Sequence, residues 1–409
     1  MSQTSTVARR ARLAVGLMFV ANGVALTTVL PRLPEIKTDL GLTNAALGLA
    51  LAAAPLGSLG AVPLTGRLIA RVGSAPVAVG AGLVLGFTLP LVALAPGWGA
   101  LAATYLVLGA ADGVMDAAMN AHGLRVQQAY RRSLINGMHG LWSVGAASGA
   151  AIGTAAAALR LPLTVHLAAV GAGVVAASLA AAAWRLRGPD PHDLAGEPPA
   201  GEDAAAASAG GSRVWAAVRP LAWVGLLGIL AGIPEDVANT WSTLYLAEDR
   251  SAPAGLAGLG YTVFAASMMV SRFTADRITD RLGTVTVARV GGLVAFAGYA
   301  FVLVSPWFAG SVAGFALIGL GIAPAFPTLF HASGHWPGVR SGDGVTVLSW
   351  VARFGFLVTP PVVGLIADSA GIGAGLTIGA AAALAYALLA GRLAPAAAPP
   401  QPSDHVRDA

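Results

Sequence analysis

The sequence predicts an all-α polytopic membrane protein: twelve transmembrane helices in two six-helix, pseudo-symmetric bundles. Three observations carry that prediction. Of 409 residues, 56% are hydrophobic and 11% charged, and mean hydropathy is +0.73. A soluble domain carries about 25% charged residues, so this chain holds more apolar surface than a soluble core hides, and lipid is its natural solvent. The uncharged runs have the lengths of bilayer spans. Finally, a charged, Pro- and Gly-rich stretch divides those runs six and six, and a short motif recurs on both sides of it.

A helix needs about 20 apolar residues to cross the hydrocarbon core. Residues 13–31, 45–66, 133–159, 161–184, 251–271 and 369–391 each supply one span. The run 72–111 is too long for one and turns at LAPGWG (94–99); the run 290–339 turns at SPW (305–307). Spans near 219–246 and 344–367 are interrupted by charge. The first helix is kept as a span because no small-residue cleavage site follows a short apolar core. Cytoplasmic loops carry the excess of Lys and Arg. With the N-terminus inside, the inside segments hold eighteen basic residues, Arg272 among them; the outside segments hold four, Arg32, Lys37, Arg160 and Arg250. Both termini are therefore expected in the cytoplasm. Arg289 and Arg353 fall within spans.

The expected organisation is an N-terminal bundle over 1–184, a linker over 185–219, a C-terminal bundle over 220–393 and a cytoplasmic tail over 394–409. The stretch from 185 (RLRGPDPHDLAGEPPAGEDAAAASAGGSR) has no core pattern and reads as a flexible cytoplasmic linker. GRLIARVGS at 66–74 aligns with DRITDRLGT at 276–284, an offset of 210; Arg67, Arg71 and Gly73 match Arg277, Arg281 and Gly283, and Gly48 meets Gly258.

The motif Gly-x-Leu-x-Asp-Arg-x-Gly between a second and a third helix is that of the major facilitator superfamily, which this chain resembles throughout its length. Gly66, Leu68, Arg71 and Gly73 keep it, with Ala70 in place of the acid; the second copy keeps Asp280, Arg281 and Gly283 and begins with Asp276. The resemblance implies the major facilitator fold, with a midplane solute site between the halves and alternating access by rocking. It makes Gly66, Arg67, Arg71, Gly73, Asp276, Arg277, Asp280, Arg281 and Gly283 the gating-loop candidates. GVMDAAMNAHG (113–123), INGMHGLWSVGAASGA (135–150) and PEDVANTWSTLYL (234–246) resemble the fucose-permease-like branch of bacterial inner-membrane permeases. That branch implies symport of a small polar solute, sugar-like or a related metabolite, with protons. The expected setting is the bacterial cytoplasmic (inner) membrane, and the expected functional unit a monomer.

Asp112, Asp116 and Asn120 stand four residues apart in an otherwise apolar helix. Each step drifts only about 40° around the helix, so the three share one face. A carboxylate at membrane depth is costly and faces the bundle interior or a water-filled cavity. A carboxyl that exchanges a proton there is what coupling requires, and Asp116 matches the acid of the resembled branch. Glu235, after the helix-disturbing Pro234, and His139 are further proton-coupling candidates; an interhelical hydrogen bond holding the fold is the competing reading for Asp112 and His139. His122 reads as structural. The solute-contact candidates are Asn22, Asn120, Asn136, Trp142, Asn239, Trp241 and Arg353. Trp241 offers a flat apolar face with one N–H. Arg353, deep in a span, needs a partner or an anionic ligand, and Glu235 or Asp236 is the expected one.

Several classes are excluded. With no cysteine there are no disulfides or thiolate sites. No Walker A loop or HEXXH motif is present, so neither direct ATP drive nor an enzyme is expected, and no metal or cofactor. The basic balance lies in inside-facing arginines, which argues against nucleic acid. The alternatives to uptake are proton-driven export of a drug or natural product and, more remotely, a non-transporting sensor. GLWSVGAASGAAIG lacks the Gly-Pro pair of drug–proton antiporters, and its Gly145-Gly149-Gly153 spacing suits close helix packing.

Overall fold

The computed structural model describes residues 6–130, 134–186, 205–334, 336 and 341–393. Among them there is helix and no strand. Twelve helices are long and apolar enough to span a bilayer. They are α1 (Thr6–Thr27), α2 (Asn44–Val72), α3 (Ser74–Thr88), α4 (Trp98–Tyr130), α5 (Ile135–Ala158) and α6 (Leu163–Trp184), then α7 (Ala205–Glu248), α8 (Leu259–Leu282), α9 (Thr284–Val304), α10 (Phe308–Ile322), α11 (Ser341–Ala370) and α12 (Ile372–Leu389). Helix α7 begins inside the stretch expected as a linker, the earlier part of which lies outside the described residues, as does the 394–409 tail. Helix α10 breaks and resumes over Ala325–Gly334; Pro324, with no N–H to donate, sits at the break.

The internal repeat becomes geometry. Helices α2 and α8 both end on a glycine in the left-handed region, Gly73 (φ +89°) and Gly283 (φ +80°). Each N–H bonds four residues back, to Ile69 O at 2.7 Å and Thr279 O at 2.8 Å. A side chain at either position would be strained, so the motif glycine stops the helix and turns the chain into the next. Packing repeats as well. In the first half α1 packs on α5 and α6, and α4 on α2 and α3; in the second α7 packs on α11 and α12, and α10 on α8 and α9. Across the halves α2 meets α11 and α5 meets α8, the same contact twice under exchange of the bundles.

Small residues set how closely these helices approach. Gly145 and Gly149 of α5 lie on the α1 backbone at Val20 and Val24, and Gly153 on the Thr28 carbonyl just beyond α1, where a Cβ would collide. This is the packing expected from their spacing. Across the halves Gly48 lies on the Pro360 carbonyl and Gly258 on Thr154, so both members of the sequence-matched glycine pair sit at the inter-half seam. That seam is at the end of the bundle away from the termini, here the distal face. It also holds Lys37 Nζ 2.7 Å from both Glu248 carboxylate oxygens and the Thr154 and Thr262 hydroxyls 2.8 Å apart. Asp368 accepts from the backbone N–H groups of Asn44 (2.8 Å) and Ala45 (2.9 Å), donors of the first turn of α2 that have no partner within the helix.

Candidate functional site

Below the distal seam a cavity of about 260 Å³ lies between α1, α2, α4 and α5 on one side and α7, α8 and α11 on the other. Its charged lining is Glu235 and Asp236 of α7 and Arg272 of α8; Asn239, Thr240 and Ser143 add polar groups, and Trp142, Tyr105 and Tyr261 aromatic ones. Glu235 and Asn239 are four residues apart and so face the same space, as their spacing predicts.

Arg272 Nη2 stands 3.5 Å from Glu235 Oε1. The other Glu235 oxygen and Asp236 Oδ2 are buried and have no hydrogen-bond partner among the described residues. The Arg272 guanidinium also lies 5.8 Å from the ring centroid of Trp142, which belongs to the opposite half. Trp142 Nε1 donates to Asn22 Oδ1 at 2.8 Å, and Asn22 Nδ2 donates to Asp112 Oδ1 at 2.8 Å. A chain of contacts therefore runs from the α4 acid through Asn22 and Trp142 to the α8 guanidinium and the α7 acid.

Toward the terminal side of the cavity stands a second pair. Asp116 Oδ2 of α4 is 4.0 Å from Arg353 Nη2 of α11, with side chains 43% and 30% exposed, so the space between the halves is open on that side. Asn120 Nδ2 donates to Asp116 Oδ1 at 3.1 Å and to its carbonyl at 2.9 Å. The expected stripe is thus a contact. His139 is exposed, with its ring edge-on to Phe19 at 5.3 Å, and is near enough to Asp116 for their charges to interact.

Three expectations need correction. Trp241 is fully buried rather than presented to the cavity. It stands two residues beyond Asn239, about 200° around the helix from the cavity face. Asn22 is buried with both ends of its amide engaged inside the first half, so it holds Trp142 and Asp112 in place rather than facing solute. Arg353 pairs with Asp116 rather than with Glu235 or Asp236: it lies on the same stripe as Phe356 and Pro360, one turn nearer the open side, where α4 faces it. The side chains of Asn136 and Asp276 lie outside the described residues. Arg67, Arg71, Arg277, Asp280 and Arg281 are exposed at the ends of α2 and α8, alongside exposed Gly66, and among the described residues make no ion pair with each other. His122 is buried beside Ser74, as expected of a packing histidine.

Sequence reasoning missed Arg272 by assigning it to an inside segment. Its signal was position. It precedes the motif arginine Arg277 by five residues, which places it about 7 Å deeper along the helix.

Comparison with known proteins agrees with this architecture. The profile of the Major Facilitator Superfamily matches residues 15–330 and again 224–408. An uncharacterized MFS-type transporter of Yersinia pestis is 33% identical over 357 residues, 86% of this chain and 88% of that one. Among solved structures, a mutant of the nucleoside transporter NupG superposes with a TM-score of 0.75 at 14% identity, over 95% of this chain and 99% of its own. The human organic anion transporter MFSD10 superposes with a TM-score of 0.68 at 18% identity, over 94% and 99%. A two-bundle, twelve-span chain with this motif in both halves and these relatives belongs to the Major Facilitator Superfamily.

Proposed function

We propose that this transporter moves a small polar solute through the central cavity in symport with protons, and that Asp116 is the principal coupling group of the first half. The observation that carries the reading is the Asp116–Arg353 pair, which bridges the two halves at the open side of the cavity. Residues 1–184 and 220–393 are the rocking bodies, joined by 185–219. The arginine distribution supports both termini in the cytoplasm of a bacterial inner-membrane protein, with the monomer as the functional unit. In that orientation the distal seam is the closed outer gate. Glu235, and less directly Asp112 and His139, share the proton path, while Asn120, Asn136, Trp142, Asn239 and Arg353 hold or orient the solute. The repeated loop motifs guard the inner side.

Ionised Asp116 is tolerable while water reaches it. Closing the halves over it strips that water, and a bare charge in a dry gate costs several kcal/mol. Protonation removes the charge and releases Arg353, whose guanidinium turns to the solute or to water, so that the loaded carrier can rock. Asp116→Asn imitates the protonated form. In reconstituted vesicles, with a solute found by thermal-shift screening, it keeps counterflow and loses accumulation driven by a pH gradient. Accumulation that survives in Asp116→Asn removes Asp116 from the coupling step.

A further inference from the structure

We propose that the cavity takes a small monocarboxylate, bound at its carboxylate by Arg272 and accompanied by a proton on Glu235. The proposal rests on the transport reading above and names its solute class. Charge-assisted N–H···O bonds run about 2.7–2.9 Å; the Arg272–Glu235 separation of 3.5 Å is well beyond that. The second Glu235 oxygen has no partner among the described residues. Arg272 thus brings a fork of donors, suited to a carboxylate, to the cavity wall with one distant counter-ion. Arg353 stands outside the lining, toward the open side.

The charge count requires the proton. The ionisable acid and base side chains of the lining are two carboxyls and one guanidinium; with both carboxyls ionised, a carboxylate entering alone would leave two uncompensated negative charges between membrane-spanning helices, and with Asp236 neutral it would still leave one. A proton on Glu235 removes one charge and frees Arg272. An O–H bond forms on Glu235, its ion pair with Arg272 breaks, and the solute carboxylate takes its place. Anion and proton then move together with no net charge. Arg272 and Tyr261 on α8 and Asp236 on its own helix are the charged or titratable groups acting on Glu235; His139 on α5 acts on Arg272. Beyond the charged wall, Met268 and Phe356 offer apolar contact and Asn239 and Thr240 hydrogen bonds to the solute body.

The test is equilibrium binding to the purified full-length protein at mildly acidic and mildly alkaline pH. The probes are two acid–amide pairs of matched shape, benzoate with benzamide and glucuronate with glucuronamide. At least one acid should bind, more tightly than its amide and more tightly at acidic pH. Arg272→Gln should weaken the acid by about ten- to hundredfold, the range for losing a hydrogen bond to a charged group, and leave the amide unchanged. Arg272→Lys should keep part of the affinity. Glu235→Gln should bind the acid as tightly at alkaline as at acidic pH, and decides the matter by itself if the melting curve of Arg272→Gln shows misfolding. The proposal is overturned if no acid binds, if acid and amide bind alike, if acid affinity survives in Arg272→Gln, or if Glu235→Gln keeps the pH dependence. No gradient is used, so failed coupling through Asp116 leaves this result standing. Proton-driven uptake of a neutral solute, with no acid bound, would sink this proposal and leave the transport reading intact.

Discussion

The distal seam and the cavity both lie between the two halves and both carry charged groups, but they are built differently. At the seam the contacts are short: 2.7 Å from Lys37 to Glu248, and 2.8 and 2.9 Å from the start of α2 to Asp368. Glycines there bring backbone against backbone. Around the cavity the pairs stand at 3.5 Å and 4.0 Å, and buried carboxylate oxygens lack partners. An exposed ion pair contributes only about 0.2–1 kcal/mol, so the seam owes its closure mainly to close packing at Gly48 and Gly258, with its charges adding direction. The cavity pairs are long and part-exposed, and so can be exchanged for a proton or a ligand at low cost. On the proposed reading, one region shuts and the other trades partners.

Overpacking the seam should break this contrast most strongly. In Gly48→Val the added side chain would meet the Pro360 backbone. Overpacking costs about 1–3 kcal/mol, so the closed seam should be depopulated by roughly five- to hundredfold. A cysteine at Leu30, in the cavity wall below the seam, should then react with an impermeant thiol reagent from the distal side far faster than in the otherwise unmodified protein; unchanged labelling would show that packing does not hold the seam. Next in size is Arg353→Ala, which leaves Asp116 without its guanidinium. Transport should fall by about fivefold, the upper end for losing a part-exposed ion pair, and Arg353→Lys should recover part of it. Near-normal uptake in the alanine variant would leave Arg353 without a role.

The seam charges should matter less. Asp368→Asn removes a carboxylate from the N-terminus of α2, an interaction of about 0.3–1 kcal/mol at low salt. Distal labelling should rise roughly two- to fivefold in low salt and less in high salt. The smallest change is expected for Lys37→Gln, below about twofold at physiological ionic strength. A larger effect for Lys37→Gln than for Gly48→Val would reverse the assignment of the seam to packing.

The fold was legible because lipid leaves few solutions. Span length and the 66–74/276–284 repeat each report on a strong constraint, and the motif glycines that match in sequence also match in φ. The Asp112–Asp116–Asn120 stripe was legible for the same reason, since helical spacing fixes which residues share a face. Pairing between helices was not. The partner of Arg353 depends on which face α11 turns toward α4, and one sequence does not contain that rotation. Trp241 was misplaced because its chemistry was weighed ahead of its angle from Asn239. Arg272 was missed because the end of an uncharged run is not the end of a membrane helix: α8 continues to Leu282 as one helix, and Arg272, near its middle, reaches the cavity.

The central claim is that the charge on Asp116 decides which side of the transporter is closed. It is tested most directly by the distance between spin labels at Thr38 and Ser251, one in each half at the distal face, measured at mildly alkaline and mildly acidic pH. On this account lowering the pH adds the proton to Asp116, so a longer-distance population, with the seam parted, should grow in the otherwise unmodified protein. In Asp116→Asn that population should already be present at both pH values. A distribution that ignores pH with Asp116 in place, or one that keeps its pH response in Asp116→Asn, would contradict the account.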